Sequence, residues 1–131
     1  MGQQQLLLIV LGVIVVGIAV VVGINLFNAN AETSTQDSIV SQGTNIGAMA
    51  QQYYKKPSSM GGGDNSFTDF DTKVWNNLPG KLTISTDATW AVTTESATNV
   101  VLTATPVDDK YAANWSVVTT VTDSTLVSQV Q

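Results

Sequence analysis

The chain has 131 residues, five Lys against ten acidic residues for a net charge of −5, and neither Cys nor His. An acidic balance excludes the basic footprint that nucleic-acid binding needs. The missing Cys and His remove thiolate nucleophiles, imidazole bases and the usual zinc ligands, so no enzyme chemistry, metal or cofactor is expected.

In chain order, the first element is an unbroken apolar run from Leu6 to Ile24, LLLIVLGVIVVGIAVVVGI, five residues after the first residue of the sequence. About nineteen residues at ~1.5 Å rise give roughly 28 Å of helix, close to the ~30 Å hydrocarbon thickness of a bilayer. A cleavable secretory signal has a positively charged start and an apolar core of only ~7–15 residues. Here no Lys or Arg precedes the run and the core is longer, so the segment is expected to be retained in the working protein. With about thirty residues committed to it, the rest of the chain suffices for one small domain.

After Ile24 the sequence turns polar, yet the first Pro is Pro57. Isolated Gly residues weaken a helix without ending it, so one helix is expected over residues 1–56, roughly 75–80 Å long, apolar in its first half and amphipathic in its second. Ile39, Ile46 and Tyr53 recur every seven residues, with Gly43 and Ala50 on the same repeat. This narrow seam suits either the core of its own domain or a contact between copies, and the sequence leaves both open.

Residues 57–80 read as a loop region that opens on Pro57 and contains the flexible stretch Ser58 to Asn65. Residues 81–131 are rich in Thr, Val and aromatics, and strands are expected at Lys81–Ser85, Thr89–Thr93, Asn99–Ala104, Trp115–Val121 and Leu126–Val130. Turn-forming groups separate them: Ser85-Thr86-Asp87, Glu95-Ser96-Ala97 and Pro106-Val107-Asp108-Asp109. The expected fold class is α+β, a long N-terminal helix packed by its amphipathic half against a small antiparallel sheet. Trp75, Trp90 and Trp115 are read as core anchors.

Four constellations contain residue types that form sites elsewhere. Asp64, Asn65, Asp69 and Asp71 form an oxygen-rich loop, but their spacing matches no EF-hand and a solvated turn fits better. Asp108-Asp109 reads as a turn. Gly61-Gly62-Gly63 lacks the Lys-Ser/Thr continuation of a phosphate-binding loop. Asn114-Trp115-Ser116 fits the N-glycosylation acceptor pattern, which is common by chance, and its last two residues fall in an expected strand.

An apolar helix that continues into an amphipathic half and then carries a small Thr-rich β domain resembles a type IV pilin or an archaeal pilin of that kind. The resemblance covers the whole layout, and its local motif is Met1-Gly2-Gln3-Gln4-Gln5 directly before the apolar run. In that family a peptidase cuts after a Gly placed there, which implies processing at Gly2 with Gln3 leading the mature chain, or alternatively a chain that starts at Met1. Bacterial members generally carry Glu at the fifth mature position. Here that place is Gln5 or Leu7, and no Pro breaks the apolar half, so the sequence stands nearer the archaeal members in lacking the Glu and a disulfide.

The resemblance implies the major subunit of an extracellular filament for adhesion, a homopolymer delivered from the cytoplasmic membrane by a pilus assembly machinery. The filament core would be packed from Leu6, Leu7, Leu8, Ile9, Val10, Leu11, Val13, Ile14, Val15, Val16, Ile18, Val20, Val21, Val22 and Ile24. The alternative is a single-pass membrane-anchored binding protein that never polymerises.

Overall fold

The structure is a computed structural model that describes residues 2–78, 84–108, 112 and 114–131. It is an α+β fold: helix α1 (Gln3–Lys55) is followed by short helical turns and a four-stranded antiparallel sheet in the order β1-β2-β3-β4. The strands are β1 (Ala88–Glu95), β2 (Asn99–Pro106), β3 (Val117–Thr122) and β4 (Leu126–Val130). Two compact units divide the chain, Met1–Ser34 and Thr35–Gln131.

The second unit is the head. Its core joins one stripe of α1 to one face of the sheet. Ile39, Gly43, Ile46, Gly47, Ala50 and Tyr53 are buried on the helix, and Trp90, Val100, Leu102, Ala104, Val117 and Val121 are buried on the strands. The seven-residue seam read from the sequence is therefore the floor of the head's own core. Alternation does the same work on the sheet, where β3 buries every second residue.

Helix and sheet meet closely because Gly43 has no side chain. A Cβ there would stand 2.5 Å from Thr119 Oγ1 and 2.7 Å from the ring tip of Trp90. Both neighbours are anchored, Thr119 by a 2.8 Å hydrogen bond with Ser128 Oγ and Trp90 by the indole N–H that donates to Gln42 Oε1. Gly43→Ala gains up to ~1 kcal/mol of helix propensity but overpacks this contact at about 1–3 kcal/mol. A net destabilisation of the head is expected in urea unfolding followed by tryptophan fluorescence, and a variant more stable than the parent would refute the close contact.

Polar contacts fix the register of helix on sheet. Ser38 Oγ donates to Asp87 Oδ2 at 2.7 Å, and Gln51 Nε2 reaches the carbonyls of Thr122 and Thr125, each at 3.3 Å, on either side of the β3–β4 turn.

The loop expected after Pro57 also caps α1. Gly63 and Asn65 donate their backbone N–H to the carbonyls of Tyr53 and Tyr54, and Asp64 donates to that of Lys56. These carbonyls belong to the last turn of α1 and the residue just after it, where acceptors have no partner inside the helix. Gly62 is required by the return path, because a Cβ would lie 2.1 Å from the Lys56 carbonyl oxygen. Residues 57–80 also hold more helix than expected: a 3-10 turn at Ser58–Met60, α2 (Phe70–Lys73) and a second 3-10 turn at Trp75–Asn77. Phe67, Phe70 and Trp75 bury this region against the core.

The strand expected at Lys81–Ser85 falls in part on residues 81–83, which lie outside the described residues. Its end is not part of a strand: Ile84 makes an isolated bridge to Thr89, and Ser85 turns back to bond Ala88. The other four strands stand within two residues of their expected bounds. Asp109, in the turn expected after Pro106, lies outside the described residues.

Candidate functional surface

The residues that the sequence sets aside for packing are the ones the structure leaves uncovered. Every large apolar side chain from Leu6 to Ile24 is exposed, from 50% at Val22 to 69% at Leu7. The apolar surface goes on past Asn25 with Leu26 and Phe27, the latter 74% exposed. Gly2 lies outside the helix and is exposed, and Gln3 is its first residue. The Gly2 carbonyl accepts the N–H of Leu6 in the first turn.

Such a surface does not persist in water. At roughly 25 cal/mol per Å² of apolar area, a fully uncovered helix of this length gains tens of kcal/mol by leaving solvent. This helix is also the one among the described residues that is long and apolar enough to cross a bilayer. From Gln3 onward the first charged side chain is Glu32, so no ionised group opposes burial of the segment in lipid or among other helices.

The head presents the opposite surface. Residues 35–131 carry nine acidic side chains and all five Lys. On the outer face of the sheet, Thr89, Ala91, Thr93 and Thr105 are exposed, and Thr93 and Thr103 share a hydroxyl hydrogen bond of 2.6 Å.

The acidic loop weighed as a cation site has another occupation. Glu95 extends from the end of β1, and its two carboxylate oxygens accept the backbone N–H groups of Asp69 at 2.7 Å and Asp71 at 2.9 Å. Asp69 pairs with Lys73 at 3.5 Å. Asp64, Asn65 and Asp69 hold positive φ angles, which short polar side chains tolerate. Among the described residues no group of three or more His, Cys, Asp or Glu is arranged to hold a metal ion. The part played by Glu95 is invisible in sequence, where it reads as one residue of a turn. Asn114 is exposed in the turn before β3, while Trp115 beside it is buried.

Tyr53 ties α1 to this loop. Its ring meets Phe70 edge-on at 5.7 Å, and its hydroxyl donates to the Thr68 carbonyl at 2.8 Å. Burial pushes the phenol up from its ordinary 10.0, with Lys73 nearby opposing the shift. The folded pKa lies above the unfolded one, so the head is stabilised in full below pH ~10 and loses that contribution as pH rises through the folded pKa. Tyr53→Phe is expected to lower stability at neutral pH by about 1 kcal/mol through the lost hydrogen bond, and to flatten the alkaline fall in Tm. An unchanged alkaline profile in the variant would dissociate Tyr53 from that fall.

No protein-family model matches this chain, and no curated protein and no solved structure is significantly similar to it.

Proposed function

We propose that the chain is the structural subunit of an extracellular filament of the type IV pilus kind, held in the cytoplasmic membrane before assembly and packed through Leu6–Ile24 afterwards. The observation that carries this reading is the exposure of that uncharged surface along its whole length on a chain whose other unit is a folded, acidic head. Lipid tails are as apolar as Leu, so the segment passes from bilayer to helix bundle at nearly balanced free energy, with helix packing to tip it. Contacts of a head-to-tail kind that do not close then build an open helical polymer. The resemblance of the layout to pilins supports the same reading.

In this reading the protein is not an enzyme. It uses no cofactor, and its partners are copies of itself, the membrane and an assembly machinery. The hydroxyl-lined outer face of the sheet suits adhesion. A second reading, a single-pass anchored binding protein, draws on the same helix, because it is long and apolar enough to span a bilayer.

Negative-stain electron microscopy of material sheared from producing cells, with mass spectrometry of the sheared band, separates the two. Thin filaments made of this chain are the expected result. Protein that stays wholly in the membrane fraction, with no filament, would replace the filament reading by the anchored one.

A further inference from the structure

The two edges of the sheet are finished differently. At the β1 edge the register slips between Val92 and Thr94, and Glu95 closes the strand with a charge engaged by α2. Its start is covered by the turn in which Ser85 N–H donates to the Ala88 carbonyl. Bulges, charges and covering segments are the devices that keep an edge from pairing with another chain.

Among the described residues the β4 edge has none of them. Leu126-Val127-Ser128-Gln129-Val130 contains no charge and no Pro, and its pairing with β3 runs without a bulge. Val127 and Val130 are 45% and 41% exposed. The ladder is flanked by hydrogen-bonded pairs, Ser116 with Gln131 in both directions at 2.8 Å and Thr122 N–H to Thr125 O at 2.8 Å. Alternation along an antiparallel pair then directs the backbone groups of Val127 and Gln129 to β3 and turns those of Leu126, Ser128 and Val130 outward.

We infer that this edge pairs with β4 of a second copy, antiparallel and centred on Ser128. In that register Leu126 faces Val130 of the second copy, Ser128 faces its own equivalent, and every outward N–H and C=O finds a partner. Val127 lies opposite Gln129 of the second copy, so no like charges meet. A homotypic strand contact has to use β4 with β4, because the β1 edge is blunted. It also suits an acidic head, since two copies repel wherever charged surfaces meet and β4 is uncharged. The pairing is isologous and closes on itself. It therefore does not build the polar filament, and where that reading holds it joins two filaments side by side.

The chain has no cysteine, so introduced thiols have no competing partner. Full-length Val127→Cys and Gln129→Cys chains are oxidised mildly, each alone and as a co-expressed mixture, and run on non-reducing gels. Directly opposed residues of a non-hydrogen-bonded pair have Cα atoms about 4.5 Å apart, within disulfide range, whereas identical residues fall on the ~7–8 Å diagonal. The mixture is expected to give at least about ten-fold more disulfide dimer than either variant alone. Equal yields, or no dimer in the mixture, would overturn the pairing. As a second readout, Val127→Lys with Gln129→Lys places like charges opposite each other on solvent-facing positions, and is expected to abolish the dimer while the head melts as before. Register-specific dimer from cells that make no filament leaves the pairing intact and removes the filament reading; filaments without it do the reverse.

Discussion

Val15→Lys is expected to reduce sheared filament mass at least about a hundred-fold. An ammonium buried among apolar helices without a partner costs several kcal/mol per subunit, and ~1.4 kcal/mol is a factor of ten in an equilibrium. Every subunit of a polymer carries the same penalty, so the effect does not dilute. Leu7→Lys adds a distinction that Val15→Lys lacks. At the end of the apolar run a Lys in a bilayer carries its charge back to the interface on its long stem, so Leu7→Lys protein remains in the membrane fraction. Among packed helices the same charge meets neighbouring apolar side chains, and filaments are lost. Membrane retention with no filaments is thus the expected result for Leu7→Lys, read by immunoblot of membrane and sheared fractions. Filaments of normal abundance in either variant would mean that Leu6–Ile24 does not form the filament core.

The parts of this molecule that sequence made legible are those governed by period and by breakers. A run without polar side chains, no Pro before Pro57 and a seven-residue repeat through Ile39, Ile46 and Tyr53 are signals that one chain carries by itself, and α1 and its buried stripe follow them. Runs rich in Val and Thr did the same for β2 and β3. What sequence did not reveal depends on pairs far apart in the chain. Nothing in Gly61-Gly62-Gly63 announces that the amides of Gly63, Asp64 and Asn65 cap the carbonyls of Tyr53, Lys56 and Tyr54. Nothing around Glu95 announces the amides of Asp69 and Asp71, which reach it across 26 and 24 residues. The exposed helix stands between these two cases. Its composition states that it must be covered, while the identity of the cover is a property of the assembled state.

Phe70→Ala is expected to destabilise the head strongly without touching the apolar segment, and so to separate the stability of the subunit from the cohesion of the polymer. The Phe70 side chain is 0% exposed and carries the edge-on contact with Tyr53, whose hydroxyl in turn holds the Thr68 carbonyl. Truncation of a buried Phe to Ala costs about 3–5 kcal/mol, because transfer energy is lost and the cavity closes only in part. That is a large share of the 5–15 kcal/mol available to an ordinary domain. At about 4–8 °C per kcal/mol for a domain of up to ~100 residues, Tm falls by roughly 12–40 °C. Trp75, Trp90 and Trp115, the three tryptophans of the chain, all lie in the second unit, so their fluorescence reports the head alone. Filaments assembled at 20 °C should still form, since Leu6–Ile24 is unaltered, and should lose tryptophan signal on heating well before they disassemble. A fall in Tm of less than about 5 °C would show that Phe70 is not the anchor its burial indicates. Filaments that disassemble at the head's new melting temperature would show that head contacts, and not the apolar helices, hold the polymer together.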